Sequence, residues 1–222
     1  MARKSFKAGT LLAPLPAVMV SVGDENEKNI ITVAWCGILS SDPPRAYVSV
    51  RPSRHSHGIL ERCGEFVINL TTEKTALATD YSGIYTGAKV DKFEECKLTA
   101  VPSECVAAPT IAESPLSLEC RVFEVMHSGT HDIFMADILS VSCDESILDE
   151  SGKICFEKAG LIAYSHGEYF ALGESLGKFG FSTKRENKAG ISRRESPIKE
   201  QKKKLPRGAK EGERRGRAKR RS

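Results

Sequence analysis

The stretch that decides the fold is residues 30–38, which read Ile-Ile-Thr-Val-Ala-Trp-Cys-Gly-Ile. It carries no charge and is rich in β-branched residues, so it predicts one continuous β-strand. A first strand is expected just before it at residues 17–23, and residues 24–29 form a polar turn between the two. On a continuous strand, Thr32 and Trp35 are three positions apart and are expected on opposite faces.

The flanking sequence predicts more strands than helices. Asp42-Pro43-Pro44 forces a loop because proline cannot extend a ladder. Gly64 ends a short helix predicted at residues 53–63, and a second helix is expected within residues 71–95. Further strands are predicted at residues 46–51, 65–70, 116–126 and 131–143, the last two joined in a hairpin around Gly129. Because the strands do not alternate with long helices, we predict a mainly β, closed or partly closed antiparallel barrel with a few short helices.

The charge is divided unevenly between a body and a tail. Residues 184–222 contain 17 Lys and Arg against 5 Glu, whereas residues 1–183 contain 16 basic and 24 acidic residues. From residue 188 onward there are too few apolar side chains to offset the entropy of ordering the chain. We therefore expect a folded domain at residues 1–187 and a disordered basic tail at residues 188–222. Since the tail lacks aromatic residues for base stacking, it is expected to bind polyanions at most weakly and non-specifically.

The seven cysteines and the N-terminus bear on the cellular compartment. No Cys-x-x-Cys pair occurs, which argues against a disulfide framework and against a zinc site. His127 and His131, four apart across a turn, do not make a metal site without carboxylate partners, so no metal is expected. Pro14 and Pro16 interrupt the first apolar run, and no run approaches the ~20 residues of a membrane span. A cytoplasmic protein without membrane association is therefore expected.

Polar side chains gather where one predicted strand ends and a helix begins. Ser49, Arg51, Ser53, His55 and Ser56 all lie in this short segment. Free backbone N–H groups and the positive end of a helix dipole bind anions, and hydroxyl and guanidinium groups are suitable phosphate ligands. The alternative is that Ser53 or Ser56 only caps the helix.

Several motifs occur in an order that resembles the flavin reductase-like, FMN-binding split-barrel family. They are Asn29-Ile30-Ile31-Thr32-Val33-Ala34-Trp35, Asp42-Pro43-Pro44, Val48-Ser49-Val50-Arg51 and Gly64-Glu65-Phe66-Val67-Ile68-Asn69-Leu70. The resemblance extends toward the flavoredoxin branch through Val90-Asp91-Lys92-Phe93, Gly129-Thr130-His131-Asp132-Ile133-Phe134 and residues 172–182. It covers roughly residues 10–183. It implies an FMN-binding split β-barrel of Greek-key order, usually a homodimer with flavin sites near the subunit interface.

The resemblance also implies which residues bind the cofactor, FMN. Those along the isoalloxazine are Thr32, Val33, Ala34 and Trp35. Those that hold the ribityl and phosphate groups are Ser49, Val50, Arg51, Ser53, His55 and Ser56, with Lys92 as a further contact. Phe181 is expected to pack near the flavin or the dimer seam. His131 lies in a Gly-x-His-x-x-Phe setting similar to that of a histidine near the nicotinamide pocket, and it is the candidate catalytic residue.

Three functions remain open at this point. The first is an oxidoreductase that passes electrons from NAD(P)H through FMN to an acceptor. The second is a flavoredoxin-like electron carrier that is reduced by a protein partner and not by NAD(P)H. The third is a non-enzymatic binder of nucleic acid or an acidic partner, acting through the basic tail. The sequence does not identify the preferred nucleotide or the acceptor.

Overall fold

The computed structural model of the protein describes residues 1–183, and the predicted tail at residues 188–222 lies outside the described residues. The chain divides into two units, Met1–Leu176 and Gly177–Ser222. The described part of the second unit holds one turn of 3-10 helix, Phe181–Thr183. Among the described residues, no helix is both long enough and apolar enough to cross a membrane.

The first unit is built mainly from strands. The strands are β1 Leu15–Pro16, β2 Val18–Gly23, β3 Lys28–Val33, β4 Cys36–Ser41, β5 Pro44–Val50, β6 Glu65–Leu70, β7 Ala100–Val101, β8 Thr110–Ile111, β9 Leu116–Ser128, β10 His131–Cys143, β11 Ile162–Ser165 and β12 Glu168–Ala171. The α-helices are α1 His55–Cys63, α2 Ala76–Ile84 and α3 Lys92–Glu95, and single 3-10 turns occupy Glu73–Thr75, Glu145–Ile147 and Phe156–Lys158.

Seven strands form one antiparallel sheet in the order β3-β2-β6-β9-β10-β5-β4. Its two edge strands, β3 and β4, are consecutive in the chain. In the link between them, the carbonyl of Trp35 accepts from the backbone N–H of Ser49 in β5 at 2.9 Å. The sheet therefore curls back on itself as a split antiparallel barrel, which confirms the predicted mainly β architecture. A separate three-stranded sheet has the order β1-β11-β12, and β7 pairs with β8.

The single strand predicted at residues 30–38 is wrong, because the segment is two strands. Val33 pairs with Val18, the first residue of β2, so β3 has no further partner on that side. Pairing resumes at Cys36, opposite Val48 of β5. Ala34 and Trp35 carry the chain from one edge of the sheet to the other. For this reason Thr32 and Trp35 do not lie on opposite faces of one strand.

Apolar side chains fill the interior of the barrel and cover one of its ends. Phe66 and Phe134 are fully buried inside the sheet, and Ile59 and Leu60 of α1 pack onto the same cluster. The α1 helix ends as predicted at Gly64, which has φ 65° and donates its N–H to the carbonyl of Leu60. These contacts pack α1 against the barrel.

A buried asparagine joins four strands at the centre of the sheet. The Asn69 amide of β6 donates to the Met19 carbonyl at 3.1 Å and to Ser21 Oγ at 2.9 Å, both in β2. Its oxygen accepts from the Ile111 N–H of β8 at 3.1 Å and from Ser117 Oγ of β9 at 2.8 Å. Removal of this side chain would leave several buried polar groups without partners.

We expect Asn69→Ala to lower the free energy of unfolding by about 2–4 kcal/mol, because buried donors and acceptors lose their partners. Chemical denaturation followed by circular dichroism measures this. The matched control is Asn26→Ala in the exposed turn before β3, which should change the free energy by less than about 0.5 kcal/mol. Equal effects of the two substitutions would contradict the assigned role of Asn69.

Candidate functional site

A cleft of about 600 Å³ opens beside the link between β3 and β4. Ligand pockets for small molecules and cofactors have volumes of this order. Eight of the predicted site residues line it, namely Thr32, Val33, Ala34, Trp35, Ser49, Val50, Arg51 and His131. The ends of β3 and β5 and the start of β10 converge here, because the two edges of the sheet meet at this point.

Trp35 and His131 form the aromatic part of the cleft. Their ring centroids are 4.5 Å apart with an interplanar angle of 49°, and Trp35 is 37% exposed, so it is not a core residue. Burial, and then the positive charge of Arg51, lower the pKa of His131. Its Nδ1 lies 2.9 Å from Thr130 Oγ1. The cleft therefore presents a neutral imidazole at neutral pH.

A smaller pocket of about 70 Å³ adjoins the cleft, since Ile31 and Arg54 line both. The other predicted binding residues that line this small pocket are Ser53, His55, Ser56 and Lys92. Each predicted binding residue of the first unit therefore lines one of two neighbouring cavities. The sequence pattern at residues 49–56 brings them together because β5 ends where α1 begins.

The start of α1 is not capped by a side chain. The N-cap residue is Arg54 and it makes no side-chain capping bond, so the alternative that Ser53 or Ser56 caps the helix is wrong. The Ser56 hydroxyl instead accepts a hydrogen bond from Asn29 Nδ2 at 2.8 Å. Within residues 1–183, the backbone N–H groups of His55 and Ser56 have no hydrogen-bond acceptor. Unsatisfied N–H groups at a helix start favour an anion.

Lys92 approaches the small pocket from α3. Its buried ammonium donates to the carbonyls of Ile30 at 2.7 Å and Ser82 at 2.8 Å. Burial, assisted by the charge of Arg54, lowers the pKa of Lys92 to about 8. An ammonium group has three N–H bonds, so one donor remains beyond these two carbonyls.

Ser82 adds an unpaired hydroxyl at the same place. Among the described residues, Ser82 Oγ is the buried side-chain polar atom without a hydrogen-bond partner. The neighbouring Cys96 thiol is only a weak donor; burial raises the pKa of Cys96, and Ser82 partly offsets that rise. Because buried polar groups normally have partners, this hydroxyl is available to a ligand in the small pocket.

His55 differs from the other predicted phosphate ligands. Its Nε2 lies 3.0 Å from Glu27 Oε1, and the other oxygen of that carboxylate, Oε2, accepts from Arg62 at 2.7 Å. The imidazole is therefore engaged outside the pocket, and the backbone N–H is the group that His55 offers to a ligand.

Sequence reasoning missed the residues that close the cleft from distant parts of the chain. They are Thr10, Leu12, Leu15, Asp80, Gly83, Ile84, Tyr164, His166, Gly167 and Tyr169. Burial and the Asp80 carboxylate raise the pKa of Tyr169 to about 12, so this phenol remains protonated. A Cβ on Gly83 would lie 3.4 Å from Thr32 Cβ, so α2 lies close against β3 beside the cleft.

Phe181 belongs to the second unit, where it starts the 3-10 turn and is 58% exposed. Its contact with a cofactor stays a prediction.

Comparison with known proteins identifies relatives of the whole first unit. The family model described as "Flavin reductase like domain" matches residues 11–173. The solved structure of a flavoredoxin from Desulfovibrio vulgaris (Miyazaki F) is 33% identical, with a TM-score of 0.77, and the match covers 82% of this chain and 100% of that one. A flavoredoxin from Methanosarcina acetivorans is 25% identical, with a TM-score of 0.76 and coverages of 82% and 98%. An uncharacterized protein from Archaeoglobus fulgidus is 32% identical over 164 residues, which are 74% of this chain and 91% of the relative.

Proposed function

We propose that this chain, which belongs to the flavin reductase-like family, binds FMN and is an NAD(P)H-dependent FMN oxidoreductase. The observation that carries the proposal is the junction of an aromatic cleft with a small anion-binding pocket. The cleft suits a flat ring system, and the pocket suits a phosphate at the end of a short chain.

The small pocket has the donors that a phosphate group requires. The backbone N–H groups of His55 and Ser56 are free of acceptors within residues 1–183, and Lys92 retains one donor beyond its two carbonyl contacts. Arg54 adds a second cation, and Ser82 Oγ has no partner among the described residues. Phosphate groups bind strongly to this combination of helix start and cationic side chains. These residues favour FMN over riboflavin, which lacks the phosphate.

The cleft offers backbone and side-chain groups for the isoalloxazine. Ala34 lies between β3 and β4, outside the paired residues of either strand, so its polar backbone groups are not used in the main ladder. Val33 and Trp35 flank it, and Ser49 to Arg51 continue the wall toward the small pocket. These residues would bind and orient the ring, while Leu12 and Leu15 limit its access to water.

FMN, when bound, supplies the hydride and single-electron chemistry of the reaction. The chain's own residues need not transfer a proton for a hydride to be accepted. We assign His131 to the substrate side of the cleft, where its neutral ring contacts Trp35 and its Nδ1 is held by Thr130. There it would orient a nicotinamide or an acceptor.

A second candidate function is electron transfer without oxidation of NAD(P)H. The similarity to two flavoredoxins over nearly their whole length favours this possibility. Both functions require the same flavin site and differ in the donor, which is a nucleotide in one and a redox protein in the other.

We also propose that the protein is a homodimer. Seven large apolar side chains are exposed on β4, β9 and β10, and they are Ile38, Leu39, Phe123, Val125, Met126, Leu139 and Val141. β5 lies between β4 and β10, and β9 pairs with β10, so these four strands are consecutive in the sheet. Exposed apolar side chains grouped on one part of a sheet are typical of an interface between proteins. We call this set the hairpin surface.

The first prediction concerns cofactor and donor. Trp35 is the only tryptophan, so FMN binding should quench the protein's tryptophan fluorescence at one FMN per chain. Anaerobic NADH or NADPH should then bleach the bound flavin's absorbance. A bound flavin that stays oxidised with both nucleotides but is reduced by dithionite would favour the carrier function. Absence of bound flavin under all conditions would contradict the cofactor assignment, and Trp35→Phe, followed by flavin absorbance, is the control for the fluorescence signal.

The second prediction concerns pH. As pH rises through about 8, Lys92 loses its positive charge, so the affinity for FMN should fall while that for riboflavin stays constant. Lys92→Met should weaken FMN binding at pH 7 and abolish this pH dependence, whereas Lys74→Met in the exposed 3-10 turn should leave both unchanged. Equal pH profiles for FMN and riboflavin would show that Lys92 does not contact the phosphate.

The third prediction concerns the hairpin surface. Ile38→Glu places a charge on a side chain that is 65% exposed and should convert the dimer to a monomer in light scattering after size-exclusion chromatography. Leu77→Glu, on α2 outside the hairpin surface, should leave the dimer intact. A monomeric wild-type protein would exclude this interface.

A further inference from the structure

A cluster of imidazoles and carboxylates joins α1 to the start of β10, apart from the residues assigned to the flavin site. His57 and Asp132 are both buried, and His57 Nε2 lies 2.6 Å from Asp132 Oδ2. The other nitrogen of His57, Nδ1, lies 3.4 Å from Glu61 Oε2, one turn further along α1. His127 Nδ1 lies 2.7 Å from the second oxygen of Asp132.

The carboxylates of this cluster are paired only with histidines. Within the described part of the chain, no lysine or arginine lies within 4.0 Å of Asp132 or Glu61. The two ring nitrogens of His57 each face a carboxylate, Nε2 facing Asp132 at 2.6 Å and Nδ1 facing Glu61 at 3.4 Å. His127 also contacts Asp132, whereas His57 is the only ion-pair partner of Glu61 among the described residues. A small cation between His57 Nδ1 and Glu61 would have both a nitrogen ligand and a negative charge to balance it.

A second histidine–glutamate pair, between the start of α1 and the turn before β3, shows the contrast. Glu27 lies 3.0 Å from His55 but also 2.7 Å from the guanidinium of Arg62. Its charge is therefore already balanced by a permanent cation, whereas that of Glu61 is not.

We propose that His57 and Glu61 bind a divalent transition-metal ion of the Zn²⁺ type, with Asp132 orienting His57. Candidate ligand atoms of these three residues all lie within 4.8 Å of one another. Ligand atoms of a tetrahedral site with bonds of about 2.0–2.1 Å are about 3.3 Å apart, and the spacing of His57 Nδ1 and Glu61 Oε2 is 3.4 Å.

Asp132 contacts the ring nitrogen of His57 that would not bind the metal ion. By accepting from Nε2–H it fixes the proton on that nitrogen and leaves the lone pair of Nδ1 directed at Glu61. Carboxylate–histidine–metal arrangements of this kind orient the ligand and increase its basicity. His127 satisfies the remaining oxygen of Asp132. Imidazole with carboxylate favours Zn²⁺ and related ions over Mg²⁺ and Ca²⁺, and the exposed Glu61 side chain leaves the remaining positions open to water.

The test is calorimetric titration of the untagged, chelator-stripped full chain with ZnCl₂ under a non-thiol reductant. We expect one site per chain, at least about tenfold weaker in Glu61→Gln and in Asp132→Asn. Glu27→Gln is the matched control and should bind as the wild type does. Since Glu61 is exposed, Glu61→Gln keeps the fold even if Asp132→Asn does not, and circular dichroism verifies each variant.

Titration with Co²⁺ distinguishes metal binding at His57 and Glu61 from metal binding at any of the seven cysteines. Binding at His57 and Glu61 should give visible ligand-field bands without an intense thiolate charge-transfer band in the near ultraviolet. A thiolate band, no binding of Zn²⁺, or equal affinity in wild type and Glu61→Gln would each overturn the proposal.

Discussion

The structure depends on one constraint, namely that a two-residue link joins the two edge strands of the main sheet, β3 and β4. β3 must stop at Val33 because β2 begins opposite it, and β4 can start only where β5 offers a partner at Val48. The intervening Ala34 and Trp35 join the two edges, and the Ser49–Trp35 backbone bond attaches this link to β5. The residues that close the sheet therefore also form part of the wall of the cleft. A chain that opened this link would lose its barrel and its binding site together.

Local sequence was sufficient for much of the fold. β6 at residues 65–70 and β10 at residues 131–143 have the predicted bounds, because each is a continuous β-forming run with a clear stop. The break after Val33 could not be predicted, since most residues of that run favour a strand and a single alanine does not interrupt one. Strand ends there are set by the partner strand, and partners distant in sequence leave no local pattern.

The candidate site likewise contains residues that local sequence could predict and residues that it could not. Residues 49–56 could be recognised because the strand end and helix start that form the wall are adjacent in the chain. Tyr164 and Tyr169 could not, because a hairpin more than one hundred residues further along the chain brings them to the cleft. The partner of the His55 imidazole was equally hidden, since its contact with Glu27 depends on how α1 packs beside the turn before β3.

Lys92 links the small pocket to the stability of the whole domain. Its pKa of about 8 in the folded chain is below the ordinary value of about 10.4 for an unfolded lysine. Holding this ammonium in place therefore destabilises the fold at every pH below about 8, and that penalty disappears only as pH rises above the unfolded value. A dianionic ligand beside Lys92 compensates for it, and a ligand that binds only the folded state stabilises that state by mass action. If such a ligand binds, the unliganded chain would open more often than the loaded one, and cellular turnover would select for loaded molecules.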